Sequence, residues 1–202
     1  MTLKRVFLAG ILGAVAMFAW NSIAHMATPL GELGISEIPN EHDVLASMQS
    51  NLGSAQGMYM FPGMGLPKGA SQSQRRDAMT NYQERLDKYP SGLLIYHPVG
   101  QKAMTPGQLG NEFAFELVQS LLLALVISVG DFKTFGCRLI AAGVVGAIAA
   151  VSTNMSYWNW YGFPTSYTLG YMTMQFVGFL AAGTVIALLS GRGSAKASTA
   201  RA

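Results

Sequence analysis

The chain has 202 residues, of which 50% are hydrophobic and only 11% are charged, and its formal net charge is +3. A typical soluble domain carries roughly 25% charged residues, so this composition argues against a soluble globular protein. It also excludes intrinsic disorder, which requires low hydrophobicity and high net charge. The single cysteine excludes a disulfide within the chain and a zinc site built from several thiolates.

The charged residues are segregated from four long apolar stretches. A membrane-spanning helix needs roughly 17–25 apolar residues, and each stretch is long enough. Within all four, Glu116 is the only formally charged side chain. The sequence therefore predicts an all-α integral membrane protein, a bundle of four transmembrane helices. Their apolar segments are residues 6–27, 113–130, 139–157 and 167–190.

The first stretch also fits a secretory signal peptide. Lys4 and Arg5 would form its basic region, and the residues from Ser22 to Ala24 resemble a small-x-small cleavage site. However, the apolar run continues past the length of a typical signal-peptide core as far as Ala27. This length favours a retained first transmembrane helix.

A long polar loop, residues 28–112, follows the first span and is too long to be a simple connector. We expect it to form a small external cap of mainly helical and irregular structure. Helical spacing and capping residues predict one helix between Asn40 and Gly53 and a second from about Ser71 to the residue before Pro90. The Gly- and Pro-rich segment 57–69 is expected to be irregular. The segment 93–96 has the composition of a β-strand, but four residues are too few to decide whether it forms one.

The positions of the basic residues predict the orientation of the chain. The two termini and the loop between spans two and three together carry seven basic residues and one acid, whereas the opposite side carries six basic residues and eight acids. Because basic residues in short loops mark the cytoplasmic side, we expect both termini to be cytoplasmic in a bacterial inner membrane. The aromatic cluster 157–161 then lies at the outer interface.

The predicted organisation has four parts along the chain. Span one follows a short cytoplasmic N-terminus, the periplasmic cap comes next, spans two to four follow, and a disordered basic cytoplasmic tail ends the sequence. The corresponding ranges are 1–27, 28–112, 113–190 and 191–202.

Several polar side chains fall inside the apolar stretches. An unpaired carboxylate in hydrocarbon is costly, so Glu116 is a candidate for proton or cation handling or for contact with a partner. Alternatively, it lies near the outer interface or pairs with a basic side chain of the cap, such as Arg75 or Lys102. The candidate intramembrane polar residues are Asn21, His25, Glu116, Gln119, Asn154 and Gln175.

Small residues recur at helical spacing in three of the spans, for example Gly10 and Gly13 in span one and Gly143 and Gly146 in span three. Small residues let helix backbones approach closely. The pattern fits internal packing of the bundle, and it equally fits oligomerisation or docking onto a membrane complex. The expected partners are therefore the lipid bilayer and either other membrane proteins or further copies of this chain, and no nucleic acid.

Methionines and histidines are frequent on the predicted external side. Met58, Met60 and Met64 follow one another closely, and thioether and imidazole ligands suit Cu(I). This pattern supports a copper-handling hypothesis, although methionine also serves as adaptable packing material. We expect no other cofactor.

The sequence contains no motif of a known enzyme class, such as a phosphate-binding loop, a zinc-protease helix or a nucleophile elbow. We therefore expect a non-enzymatic protein, an accessory, assembly or structural subunit of a membrane complex. The first alternative is a small oligomeric transporter or channel-like protein that uses an intramembrane carboxylate. The second is a membrane protein that handles copper on its periplasmic side.

Overall fold

The computed structural model describes residues 1–191, so the predicted basic tail lies outside the described residues apart from Gly191. The described chain forms two compact units, a helical unit (residues 1–35 and 104–191) and a second unit (residues 36–103). A short 3-10 helix, Pro29–Gly31, follows the first helix. The main elements are α1 (Leu3–Ala27), α2 (Glu41–Leu52), β1 (Gly57–Phe61), α3 (Gln72–Lys88), β2 (Gly92–Tyr96), α4 (Pro106–Val129), α5 (Phe135–Tyr161) and α6 (Thr165–Gly191).

Four of these helices, α1, α4, α5 and α6, are long and apolar enough to cross a membrane. This confirms the prediction of a mainly helical chain with four candidate spans. The helices extend beyond the apolar stretches because polar residues continue and cap them. At the start of α4, the Thr105 hydroxyl accepts a hydrogen bond from the Gln108 amide, and Pro106 occupies the first turn.

In the helical unit, α1 packs against both α4 and α6, and α6 packs in turn against α5. By contrast, α4 and α5 make few direct contacts. The tightest packing lies toward the end where α1 begins and α6 ends, which we call the termini end. The apolar core at this end includes Leu123, Ala142, Phe179, Ala182 and Ile186. The opposite end, where α1 ends and α4 begins, is the loop end.

Several of the small residues lie at these helix contacts. A side chain at Gly10 would meet Leu121, and one at Gly13 would meet Ser120 and Ile186. The small residues therefore allow α1 to approach α4 and α6 closely.

The second unit contains α2, α3 and a two-stranded antiparallel sheet. Strand β1 pairs with β2, in a register that places Gly57 opposite Tyr96 and Phe61 opposite Gly92. The prediction that segment 57–69 is irregular was thus wrong for its first five residues. Their pairing partner lies far along the chain, so no local pattern revealed it. The predicted positions of α2 and α3 are confirmed, and Ser71 and Gln74 form a capping box at the start of α3.

Substituting Gly146 by Ala should destabilise the helical unit. Its added Cβ would lie 2.7 Å from the Cβ of Phe179, so α5 and α6 would have to shift apart. Overpacking of this kind costs about 1–3 kcal/mol. Gly143, one turn earlier on α5, is a matched control because its added Cβ would lie 3.6 Å from Leu180 Cδ2, an ordinary contact.

The measurement is the midpoint of thermal unfolding in lipid nanodiscs. We expect the midpoint to fall for Gly146→Ala and to be kept or raised for Gly143→Ala, since Ala is favoured over Gly within helices by up to about 1 kcal/mol. A Gly146→Ala protein as stable as the Gly143→Ala protein would show that the α5–α6 contact is not close-packed.

Candidate functional site in the helical unit

A cavity of about 660 Å³ opens between the four long helices in the half of the helical unit nearer the loop end. Each of these helices contributes polar side chains to its lining. The cavity brings together all six candidate polar residues that the sequence distributes over four separate stretches. They are Asn21 and His25 on α1, Glu116 and Gln119 on α4, Asn154 on α5 and Gln175 on α6.

Glu116, one of two acidic residues in this lining, is almost completely buried, with only 1% of its surface exposed. Asn21 Nδ2 donates a hydrogen bond of 2.6 Å to Glu116 Oε1. The second oxygen, Oε2, is buried and accepts no hydrogen bond from any residue of the described chain. One carboxylate oxygen is therefore fixed by α1, and the other is left without a protein partner.

Within the helical unit, the hydrogen-bonding partner of Glu116 is the neutral amide of Asn21. The reason is the direct packing of α1 against α4, which places the two polar side chains between the same pair of helices. Pairing of Glu116 with a basic residue of the second unit, such as Arg75 or Lys102, stays a prediction.

A second polar contact crosses the cavity wall between α5 and α6. Asn154 Nδ2 donates to Gln175 Oε1 at 3.3 Å and to the Ala150 carbonyl at 2.9 Å. Asn154 is buried, so these bonds satisfy an amide that would otherwise be costly to desolvate. The two helices are thereby held in a fixed rotation relative to each other.

Aromatic rings lie near the loop end of the same cavity. The His25 ring lies 5.8 Å from the Tyr171 ring in an edge-on arrangement, and Tyr171 stacks on Tyr167 at 4.4 Å. Tyr171 lines the cavity, as does Phe18.

Sequence reasoning missed some of the lining residues, notably Glu112 and Tyr171. Glu112 lies one turn before Glu116 on α4 and is exposed where it lines the cavity. Its spacing of four residues from Glu116 places both carboxylates on the same face of a helix, and this spacing could have identified it. It was overlooked because the second apolar stretch begins only at Phe113, which assigned Glu112 to the external loop.

The methionines proposed for copper belong to the second unit. Met58 and Met60 alternate with Tyr59 on β1, so they share one face of the strand, and both are exposed. Met64 follows after the strand and is also exposed. Among the described residues, no cluster of three or more His, Cys, Asp or Glu side chains is arranged to hold a metal. Copper binding by the three methionines stays a prediction.

Charged residues gather at the termini end, in the connection between α4 and α5. Arg138 donates through Nε to the Phe132 carbonyl and through Nη1 to the Ala187 carbonyl, which ties this connection to the last turns of α6. Lys133 hydrogen-bonds to Asp131 and lowers the pKa of that carboxyl group. The two hydrogen bonds of Arg138 therefore hold this connection against α6.

No protein-family model matches this chain, and comparisons with curated proteins and with solved structures also found no match. The function is therefore inferred from the residues of the chain itself.

Replacing Asn21 by Leu should destabilise the helical unit, because the buried carboxylate of Glu116 loses its hydrogen-bond donor. Leaving a buried polar group unpaired costs about 1–3 kcal/mol, and more if the group is charged. The double variant Asn21→Leu, Glu116→Leu removes the unpaired group together with its partner, so it should recover most of the loss. The midpoint of thermal unfolding in nanodiscs measures the stability of the single and of the double variant. An equal loss in the single and double variants would show that the hydrogen bond does not stabilise the fold.

Proposed function

We propose that this chain is a non-enzymatic, multi-pass protein of the bacterial inner membrane that binds a small solute in the cavity around Glu116 and transports it. The observation that carries this proposal is the buried carboxylate of Glu116, which lines the cavity with one oxygen lacking a protein partner. A group of this kind in a membrane-spanning helix is costly to the fold and is expected to serve a ligand or ion.

The contrast between the two halves of the helical unit supports a binding role. At the termini end, apolar residues pack closely around Leu123 and Ile186, and the cavity there, beside Asp131 and Arg138, is smaller at about 200 Å³. At the loop end, the same four helices border an open cavity of about 660 Å³ that is lined by convergent polar groups within an otherwise apolar wall. Such a cavity has the size and the composition of a small-molecule site.

The accessory-subunit role expected from the sequence relied on small-residue faces that would dock onto other proteins. Gly10, Gly13 and Gly146 instead meet side chains of neighbouring helices in the same unit. These contacts within the helical unit explain the small residues, and no partner protein is needed to account for them. Docking onto a complex stays a prediction, and the remaining surface available for lipid or for another copy is largest on α5, the least buried of the four helices.

The proposed orientation places both termini in the cytoplasm. Its support is the concentration of basic residues at the termini end, where Arg5, Lys133 and Arg138 lie close to the helix ends. Anionic lipids of the inner leaflet would favour this arrangement.

Cys137, the only cysteine of the chain, provides a test of the orientation because it is exposed in the first turn of α5 at the termini end. A membrane-impermeant maleimide should leave it unlabelled in intact spheroplasts and should label it after permeabilisation. The matched control is Ser47→Cys on α2 in a Cys137→Ser background, which should be labelled without permeabilisation. The opposite pattern would reverse the proposed orientation.

Filling the cavity should displace the solute. Thr153 and its neighbour Ser152 are both exposed on α5, but of the two only Thr153 lines the cavity. We expect mass spectrometry of the purified wild-type protein to reveal a small molecule that is lost in Thr153→Trp and retained in Ser152→Trp. The same molecule should enter proteoliposomes that contain the wild-type protein, and Glu116→Gln should slow this uptake at least tenfold. Identical bound molecules in both Trp variants would contradict a binding role for the cavity.

A further inference from the structure

We propose that the solute is an amphiphilic organic cation, a molecule that carries one ammonium or other onium group on an apolar body. Its charged group would lie against Glu116, and its body would lie against the apolar wall of the cavity. This inference rests on the proposed function and specifies the class of solute.

The charges of the lining favour a cation. Glu116 and Glu112 both line the cavity, and no Lys or Arg stands among the described residues that do so. An anionic ligand would face two carboxylates without a fixed positive charge to balance it, whereas a cation would satisfy the free oxygen of Glu116. The hydrogen bond from Asn21 engages Oε1 of Glu116, and Oε2 lacks a partner among the described residues, so we expect the positive group to lie nearest Oε2.

The size and the chemistry of the wall favour an organic cation over a metal ion. The cavity volume of about 660 Å³ is many times the roughly 30 Å³ that a water molecule occupies, so a bare ion would leave most of the cavity unfilled. A hard divalent cation also needs six or more oxygen ligands, and no cluster of three acidic, histidine or cysteine side chains exists among the described residues.

Apolar and aromatic side chains supply the remaining contacts. Phe18 and Tyr171 line the cavity, and a cation held over an aromatic face is attracted by the negative charge of the ring face. Leu109 and the thioethers of Met26 and Met174 add an adaptable apolar surface that accommodates a bulky body.

The arrangement of the helices suits a solute that dissolves in the bilayer. The cavity is lined by both α4 and α5, and these two helices make few direct contacts with each other. An amphiphile in the membrane would therefore reach the cavity between them. Glu112, which is exposed, extends the acidic lining one turn from Glu116 toward the loop end.

The test compares two probes that match in size and shape and differ in the sign of their charge, tetraphenylphosphonium and tetraphenylborate. Binding is measured by equilibrium dialysis with the full chain in phosphatidylcholine nanodiscs, and partition into empty nanodiscs is subtracted. We expect saturable binding of tetraphenylphosphonium alone. Glu116→Gln should weaken this binding at least tenfold because it removes the negative charge. The glutamine side chain keeps an oxygen that can accept the hydrogen bond from Asn21. Asp131→Asn, which removes the same charge at the termini end, should leave the affinity unchanged.

Three results would overturn the inference. They are the absence of saturable tetraphenylphosphonium binding, equal binding of the two probes, and undiminished binding by a Glu116→Gln protein whose thermal unfolding matches that of the wild type. The Thr153→Trp comparison separates the two proposals. A cavity-dependent molecule that is neutral or anionic would refute the cation inference and keep the proposed function. If Thr153→Trp loses no molecule and tetraphenylphosphonium does not bind, both proposals are wrong.

Discussion

The burial of one carboxylate between two helices constrains how the helical unit is assembled. A carboxylate removed from water needs a hydrogen-bond donor or a counter-charge, and Asn21 supplies a donor to Glu116 from the facing helix. This requirement fixes which sides of α1 and α4 face each other. It also explains why the polar groups of the other helices collect in the same half, since a cavity that already contains a polar group can accommodate further polar side chains at lower cost.

The close packing at the termini end supports this open half. Glycines on α1 and α5 bring neighbouring helices together, so the helix rotations are set by contacts such as that of Gly146 with Phe179. A site is held in place most accurately when its side chains project from rigid elements. Here the cavity residues stand on four such helices, and the hydrogen bond between Asn154 and Gln175 adds a fixed link near the cavity itself.

The four candidate spans were predictable from the sequence because long apolar stretches without charge are typical of membrane-spanning helices. The ends of the helices were not predictable in the same way, since capping residues such as Thr105 extend a helix into polar sequence. The polar residues were identified one by one, but their convergence was not, because the rotation of each helix depends on packing between distant segments. The pairing of Glu116 with Asn21 and the pairing of β1 with β2 were missed for this same reason.

The central position of α1 has a consequence for the order in which the protein assembles. It is synthesised before the second unit, yet both long helices that pack against it, α4 and α6, follow that unit in the chain. Asn21 and Glu116 are 95 residues apart, so the Asn21 amide is synthesised well before its acceptor exists. Packing of the helical unit therefore waits for synthesis of the whole intervening segment, and α6, which follows α4 and α5 in the chain, completes the contacts around α1.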